Sequence, residues 1–92
     1  MSNPESSDET ALTIFGRRVR SLREEQGHSL RGFARTTGIN RSHLSDIELG
    51  RVNVTLETLM CLAYALEVDV AELLRPLDSR RDLYLLPKNH LA

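Results

Sequence analysis

Residues 29–50 read SLRGFARTTGINRSHLSDIELG, and this stretch decides the fold. Ser29 and Asn40 are both residue types whose short side chains accept from the free N–H groups that open a helix. The residue before each of them has an apolar partner at the fourth helical position, His28 with Phe33 and Ile39 with Leu44, the pairing known as a hydrophobic staple. Gly38 and Gly50 stand where a helix wants a left-handed residue after its last turn. The spacing therefore predicts two short helices, over residues 30–37 and 41–49, joined only by Gly38-Ile39-Asn40. A three-residue connection opened by glycine sends the second helix steeply across the first, a helix-turn-helix. Such a crossing needs a small residue at closest approach, and Ala34 supplies it. It also needs apolar residues beneath the second helix, and Leu44 and Ile47 lie three apart on one face.

The same rule works outward. Thr55 caps a helix with Val54 stapled to Leu59, and Asp69 caps another with Val68 on Leu73, where Glu72 would complete a capping box. Upstream, a helix from about Thr10 to Gln26 carries Leu12, Phe15, Val19, Leu22 and Gln26 on one stripe, and Gly27 ends it. Two further helices are expected over 56–67 and 70–75, with Pro76 stopping the last. On the first of these, Leu56, Leu59, Leu62, Ala63 and Leu66 form the inward stripe. Cys61 and Tyr64 then face away, toward a partner subunit or the chain's own Leu83–Leu86 run. No strand pattern precedes residue 83. The expected fold class is all-α, a compact five-helix bundle containing a helix-turn-helix. Residues 1–9, MSNPESSDE, read as a disordered leader, 10–77 as the folded domain, and 78–92 as a tail that can join a dimer contact.

Composition sets the function classes. Ninety-two residues make one small domain, whose modest core leaves room for dimerisation to add stability. No apolar run approaches the roughly 18 residues a membrane span requires, and none follows a basic start. A single cysteine, Cys61, with His28, His43 and His90 at no ligand spacing, gives no metal site and fits a reducing, cytoplasmic setting. Ser42 and Ser45 near His43 follow from a helix face rather than from a catalytic arrangement, so no enzyme, cofactor or small-molecule substrate is expected. The net charge of −1 hides an asymmetry: residues 12–55 hold eight arginines against four acids, while the remainder carries nine acids against four bases. Arginine's planar fork suits phosphate and guanine, which makes nucleic acid the partner to consider.

The stretch GRRVRSLREEQGHSLRGFARTTGINRSHLSDIELGRVNVTLETLMCLAYALEVDVAELL resembles the lambda-repressor/Cro-type (XRE-type) helix-turn-helix family. The resemblance covers residues 14–74, and GINRSHLSDIELGRVNVTLETL looks closest to the short controller proteins of restriction-modification systems. It implies a five-helix bundle that binds double-stranded DNA as a homodimer. It also implies that Asn40, Arg41, Ser42, His43 and Asp46 face the bases from the recognition helix, with Arg41 suited to guanine O6 and N7. Asp46 would accept from cytosine or orient Arg41. Arg51 and Asn53 match backbone-contacting positions, and Ser29 with Arg31 sits at a helix N-terminus able to hold a phosphate. Arg23 and Glu48 match a family ion pair that braces the recognition helix. The chain departs from the family at Leu30, where glutamine is usual, and at Gly32, inside a helix.

These readings lead to a homodimeric transcription regulator, associating through the last helix and its flanks. Its two recognition helices would enter successive major grooves about 34 Å apart, on an inverted-repeat operator. The alternative is an antitoxin-like protein whose helix 56–67 face or apolar tail binds another protein, with DNA binding secondary.

Overall fold

Capping chemistry sets where each helix starts in the computed structural model, which describes residues 9–84. Five α-helices run in order: α1 (Ala11–Glu25), α2 (Leu30–Thr37), α3 (Arg41–Glu48), α4 (Leu56–Leu66) and α5 (Val70–Leu74). The 3-10 turns Arg75–Leu77 and Arg81–Tyr84 follow. Among the described residues there is no strand. Ser29, Asn40 and Thr55 each cap by side-chain acceptance from the first helical turn. Thr10 does the same for α1, in a capping box closed by the Thr13 hydroxyl rather than by a carboxylate. The sequence pattern had no acidic partner at that position to signal it.

The chosen glycines leave the helices as expected: Gly27, Gly38 and Gly50 have φ of 79°, 75° and 74°. Gly38 matters most, because its left-handed conformation turns the chain between α2 and α3 within three residues. Helix α4 ends without glycine. Glu67 itself takes φ 58°, which no residue-type pattern announced.

The core gathers residues from all five helices. Val19 from α1, Phe33 from α2, Leu44 and Ile47 from α3, Leu62 and Leu66 from α4, and Leu73 from α5 are essentially fully buried. Removing a side chain of this size from water contributes about 1.5–3 kcal/mol, so burial of Leu44 and Ile47 is a substantial part of what holds α3 in place. His28 lies 5.6 Å from Phe33, ring centroid to ring centroid, as the staple requires.

Three expectations fail. Asp69 makes no side-chain cap hydrogen bond, and Glu72 does not close a capping box. Two guanidiniums outcompete the backbone for the Glu72 carboxylate, Arg18 and Arg75, each at 2.9 Å. Leu56 is not part of the inward stripe but 68% exposed. At 100° per residue, Leu56, Met60 and Tyr64 form their own row, rotated away from Leu59, Leu62 and Leu66. Cys61 does not face outward with Tyr64: its thiol donates to the Thr37 carbonyl at 3.3 Å, satisfying an orphan acceptor at the end of α2. Helix α5 is also one residue shorter than expected, passing into a 3-10 turn at Arg75 that accommodates Pro76. Of the expected leader only Glu9 is described, ion-paired with Arg17 and Arg80. Residues 85–92, including part of the Leu83–Leu86 run, lie outside the described residues.

Candidate nucleic-acid interface

Helix α3 has two ends of different character. Its C-terminal half is clamped from below. The guanidinium of Arg23 on α1 meets the Glu48 carboxylate through two hydrogen bonds, Nε to Oε2 at 2.6 Å and Nη2 to Oε1 at 3.0 Å. Both residues are only 8% exposed. The hydrogen bond to Glu48 is the main reason the Arg23 pKa is raised, against the opposing effect of burial. The remaining Nη1 of Arg23 donates to the His28 carbonyl at 2.9 Å. One side chain therefore ties α1, the turn before α2 and the end of α3 together. Gly16 completes this clamp, because a Cβ there would be driven into the carbonyls of Ile47 and Glu48. Only a glycine lets α1 approach α3 so closely.

The N-terminal half faces outward. Arg41, Ser42 and His43 are exposed on its first turn, and Asp46 is half-buried one turn on. Asn40 sits at the entrance, its Oδ1 accepting from the N–H groups of Ser42 (2.8 Å) and His43 (3.3 Å). Its oxygen is thus used by the cap, which leaves the amide NH2 to face a ligand. In this structure the Asp46 side chain is paired with Arg51 and makes no ion pair with Arg41. The chain after Gly50 folds back so that the Arg51 N–H donates to the Asp46 carbonyl at 2.9 Å, and the two side chains meet at 3.7 Å. Ser29 caps α2 by accepting from Gly32 N–H at 2.9 Å, with Arg31 exposed in the same turn and Asn53 exposed in the loop before α4.

The arginines divide by partner. Arg17, Arg18, Arg20, Arg23, Arg51, Arg75 and Arg80 each have a carboxylate within 4.0 Å. Among the described residues, Arg31, Arg35 and Arg41 have none, and these three line one groove of about 440 Å³ between α2 and the start of α3. Gly38, Ile39 and Asn40 also line it. Unneutralised guanidinium groups gathered on a concave surface make a site of positive potential aimed at an anion. Arg35 was not among the residues singled out in the sequence. Its signal was there, however: it stands four residues after Arg31 on a helix with no acidic residue.

A family model for a helix-turn-helix domain matches residues 14–76. The chain belongs to that family. Among relatives of this helix-turn-helix domain, the HTH-type transcriptional regulator DdrOP3 of Deinococcus deserti is 44% identical over 57 residues. That match takes in 62% of this chain and 44% of the regulator, so the chain spans less than half of DdrOP3. The control protein C.SmaI of Serratia marcescens is 38% identical over 61 residues, covering 66% of this chain and 73% of C.SmaI. The crystal structure of the restriction-modification controller protein C.AhdI from Aeromonas hydrophila superposes with a TM-score of 0.66 at 39% identity. It covers 67% of this chain and 94% of C.AhdI. The expected likeness to lambda-repressor/Cro-type regulators, and to controller proteins in particular, is met in these matches. No helix among the described residues is long and apolar enough to cross a membrane.

Proposed function

We propose that this helix-turn-helix protein is a sequence-specific DNA-binding transcriptional regulator that acts as a homodimer on an inverted-repeat operator. The observation that carries the reading is the sorting of arginines, with Arg31, Arg35 and Arg41 left without carboxylates around the exposed N-terminal turn of α3. In this reading Arg41 takes a guanine edge, while Ser42, His43 and the Asn40 amide read neighbouring bases. Asp46 contributes by holding Arg51 in reach of the backbone. Arg51, Asn53, Ser29 and Arg31 contact phosphates and set the register. The brace from Arg23 to Glu48 gives α3 the fixed orientation that bidentate base contacts need. The relatives' own names, a transcriptional regulator and control proteins, support the same role.

Association is supported by the row Leu56, Met60 and Tyr64, which is 68%, 55% and 87% exposed. The exposed residues of α5 and its flanks, Glu67, Asp69, Ala71, Arg75, Pro76, Asp78 and Ser79, are mostly polar, and the exposed apolar row of the adjoining α4 adds to the surface that the last helix and its flanks would offer a second copy. The antitoxin-like reading draws on the same row, with a different polypeptide covering it.

Selection of bound fragments from random and genomic DNA by the purified chain, at about 150 mM salt, tests the proposal. Recovery of one inverted repeat, bound by a dimer in light scattering, is the expected result. Recovery of unspecific, salt-labile fragments alone overturns the sequence-specific role. A chain that purifies only with a second polypeptide on the α4 face favours the antitoxin-like reading.

A further inference from the structure

Arg31 and Arg35 stand four residues apart on α2, so their side chains emerge one above the other on the same face. Both are exposed, neither has a carboxylate partner among the described residues, and α2 holds no acidic residue at all. Like charges at this spacing weaken a helix, and α2 is poorly equipped to absorb that. It is eight residues long, contains Gly32, and ends in Thr36 and Thr37, whose hydroxyls bond back to their own helix carbonyls. Elsewhere this chain answers such charges, for example Arg20 with Glu24 on α1 and Arg75, just past α5, with Glu72. On α2 nothing internal does. Arg41, at the head of the recognition helix, lines the same groove.

Resting on the DNA-binding reading above, we infer that this groove seats one strand of the duplex backbone, and that Arg35 pairs with Arg31 to clamp consecutive phosphates of that strand. Arg41 then reaches past the clamped backbone to the base edge. The clamp carries no sequence information. It sets the depth and register at which α3 enters the groove, and it strengthens binding to every duplex alike.

The test is binding of the full chain to its selected inverted repeat and to a scrambled duplex, followed by fluorescence anisotropy across a salt series. Arg35→Gln keeps a good helix former at the position and removes the charge. Removing one arginine–phosphate pairing should lower the slope of log K against log salt by about 0.9. The expected result for Arg35→Gln is therefore a shallower slope and an equal loss of affinity, about 3- to 10-fold, on both duplexes. Arg31→Gln with Arg35→Gln should double the change in slope. Arg20→Gln, exposed and outside the groove, serves as the control and should leave the slope unchanged. Arg35→Gln with an unchanged slope overturns the clamp, and it does so without touching the DNA-binding reading if Arg41→Ala still loses preference for the repeat. A slope change no larger than that of Arg20→Gln overturns it equally. If the unsubstituted chain binds neither duplex, the clamp and the reading beneath it fall together. Circular dichroism shows that each variant is folded, and should Arg35→Gln unfold, Arg35→Lys is measured in its place. Lysine keeps the point charge, so the clamp predicts a wild-type salt slope with weaker affinity, and an unchanged affinity overturns the bidentate role.

Discussion

The two ends of α3 belong to one eight-residue helix and are built for opposite purposes. At the C-terminal end Leu44, Ile47 and Glu48 are buried, an arginine grips the carboxylate, and a glycine admits the neighbouring helix to backbone contact. At the N-terminal end Arg41, Ser42 and His43 are exposed, and the local side-chain bonds are those of the Asn40 cap. In the proposed DNA-binding role, the difference teaches that stability and recognition are separated along a single element. Substitutions at one end should unfold the domain, and substitutions at the other should leave the fold alone and change what it binds.

Breaking the buried end has the largest expected effect. Arg23→Met strands the Glu48 carboxylate beneath α3, and losing one partner of a buried pair costs about 3–5 kcal/mol. For a domain of this size that lowers the melting temperature by upward of about 12 °C. Adding Glu48→Leu should recover much of the loss, because two apolar side chains can replace a buried pair. A melting temperature for Arg23→Met within about 3 °C of wild type would show that the pair is not the brace described here. Gly16→Ala comes next. In an open helix this change gains about 1 kcal/mol, yet here the added carbon meets the fixed carbonyls of Ile47 and Glu48. Overpacking of this kind costs about 1–3 kcal/mol, so the net sign should reverse and thermal unfolding should show a less stable protein.

The exposed end sharpens the contrast. Arg41→Ala should leave the melting temperature unchanged and reduce discrimination at one base position per half-site by about 1–3 kcal/mol, read by competition among single-base operator variants. Arg51→Ala should weaken all duplexes alike and flatten the salt dependence. Its exposed contact with Asp46, at 3.7 Å, contributes at most a fraction of a kcal/mol to folding. If both substitutions weaken all sequences equally, Arg41 does not read a base.

How much of this was legible before the structure differs between the same two ends. Helix boundaries came through because Ser29, Asn40 and Thr55 cap by local rules, readable within four residues. Nothing in the structure explains why Asp69 makes no cap bond, but the Glu72 half of the expected capping box failed because its carboxylate is held in part by Arg18, 54 residues away in the chain. No local pattern carries that information. Leu56 was misplaced for a related reason: a leucine at the first turn of α4 fits an inward stripe by type, and only the rotation of the whole helix on the bundle decides which row is buried. Gly16 was invisible as a glycine inside a helix, since its role belongs to the approach of α1 to α3. Arg35 could have been found by asking which arginines lack an acid nearby in sequence. The set of recognition-helix residues, by contrast, came from the resemblance to the lambda-repressor/Cro-type family, and the cap at Asn40 with the buried pair Leu44 and Ile47 agrees with the exposure of Arg41, Ser42 and His43.

The smallest effect lies away from α3 altogether, at Glu72. Arg75 first, and then Arg18, hold its carboxyl below the usual carboxylate range, with some opposition from desolvation. A depressed carboxyl pKa adds stability that is present above the unfolded-state value and is lost as pH falls through the folded-state value. Wild type and Glu72→Gln should therefore differ in melting temperature near neutral pH and converge in acid, once Glu72 is protonated in both the folded and unfolded states. The difference should be small, because solvent and salt screen a partly exposed pair, and it should shrink further at high ionic strength. A gap that persists unchanged into acid would mean that Glu72 stabilises the α1–α5 contact through its packing, not its charge. In either case the base preference of the protein should not move, since the Arg18–Glu72–Arg75 contacts link α1 to α5 and make no hydrogen bond or ion pair with the Arg23–Glu48 clamp that orients α3.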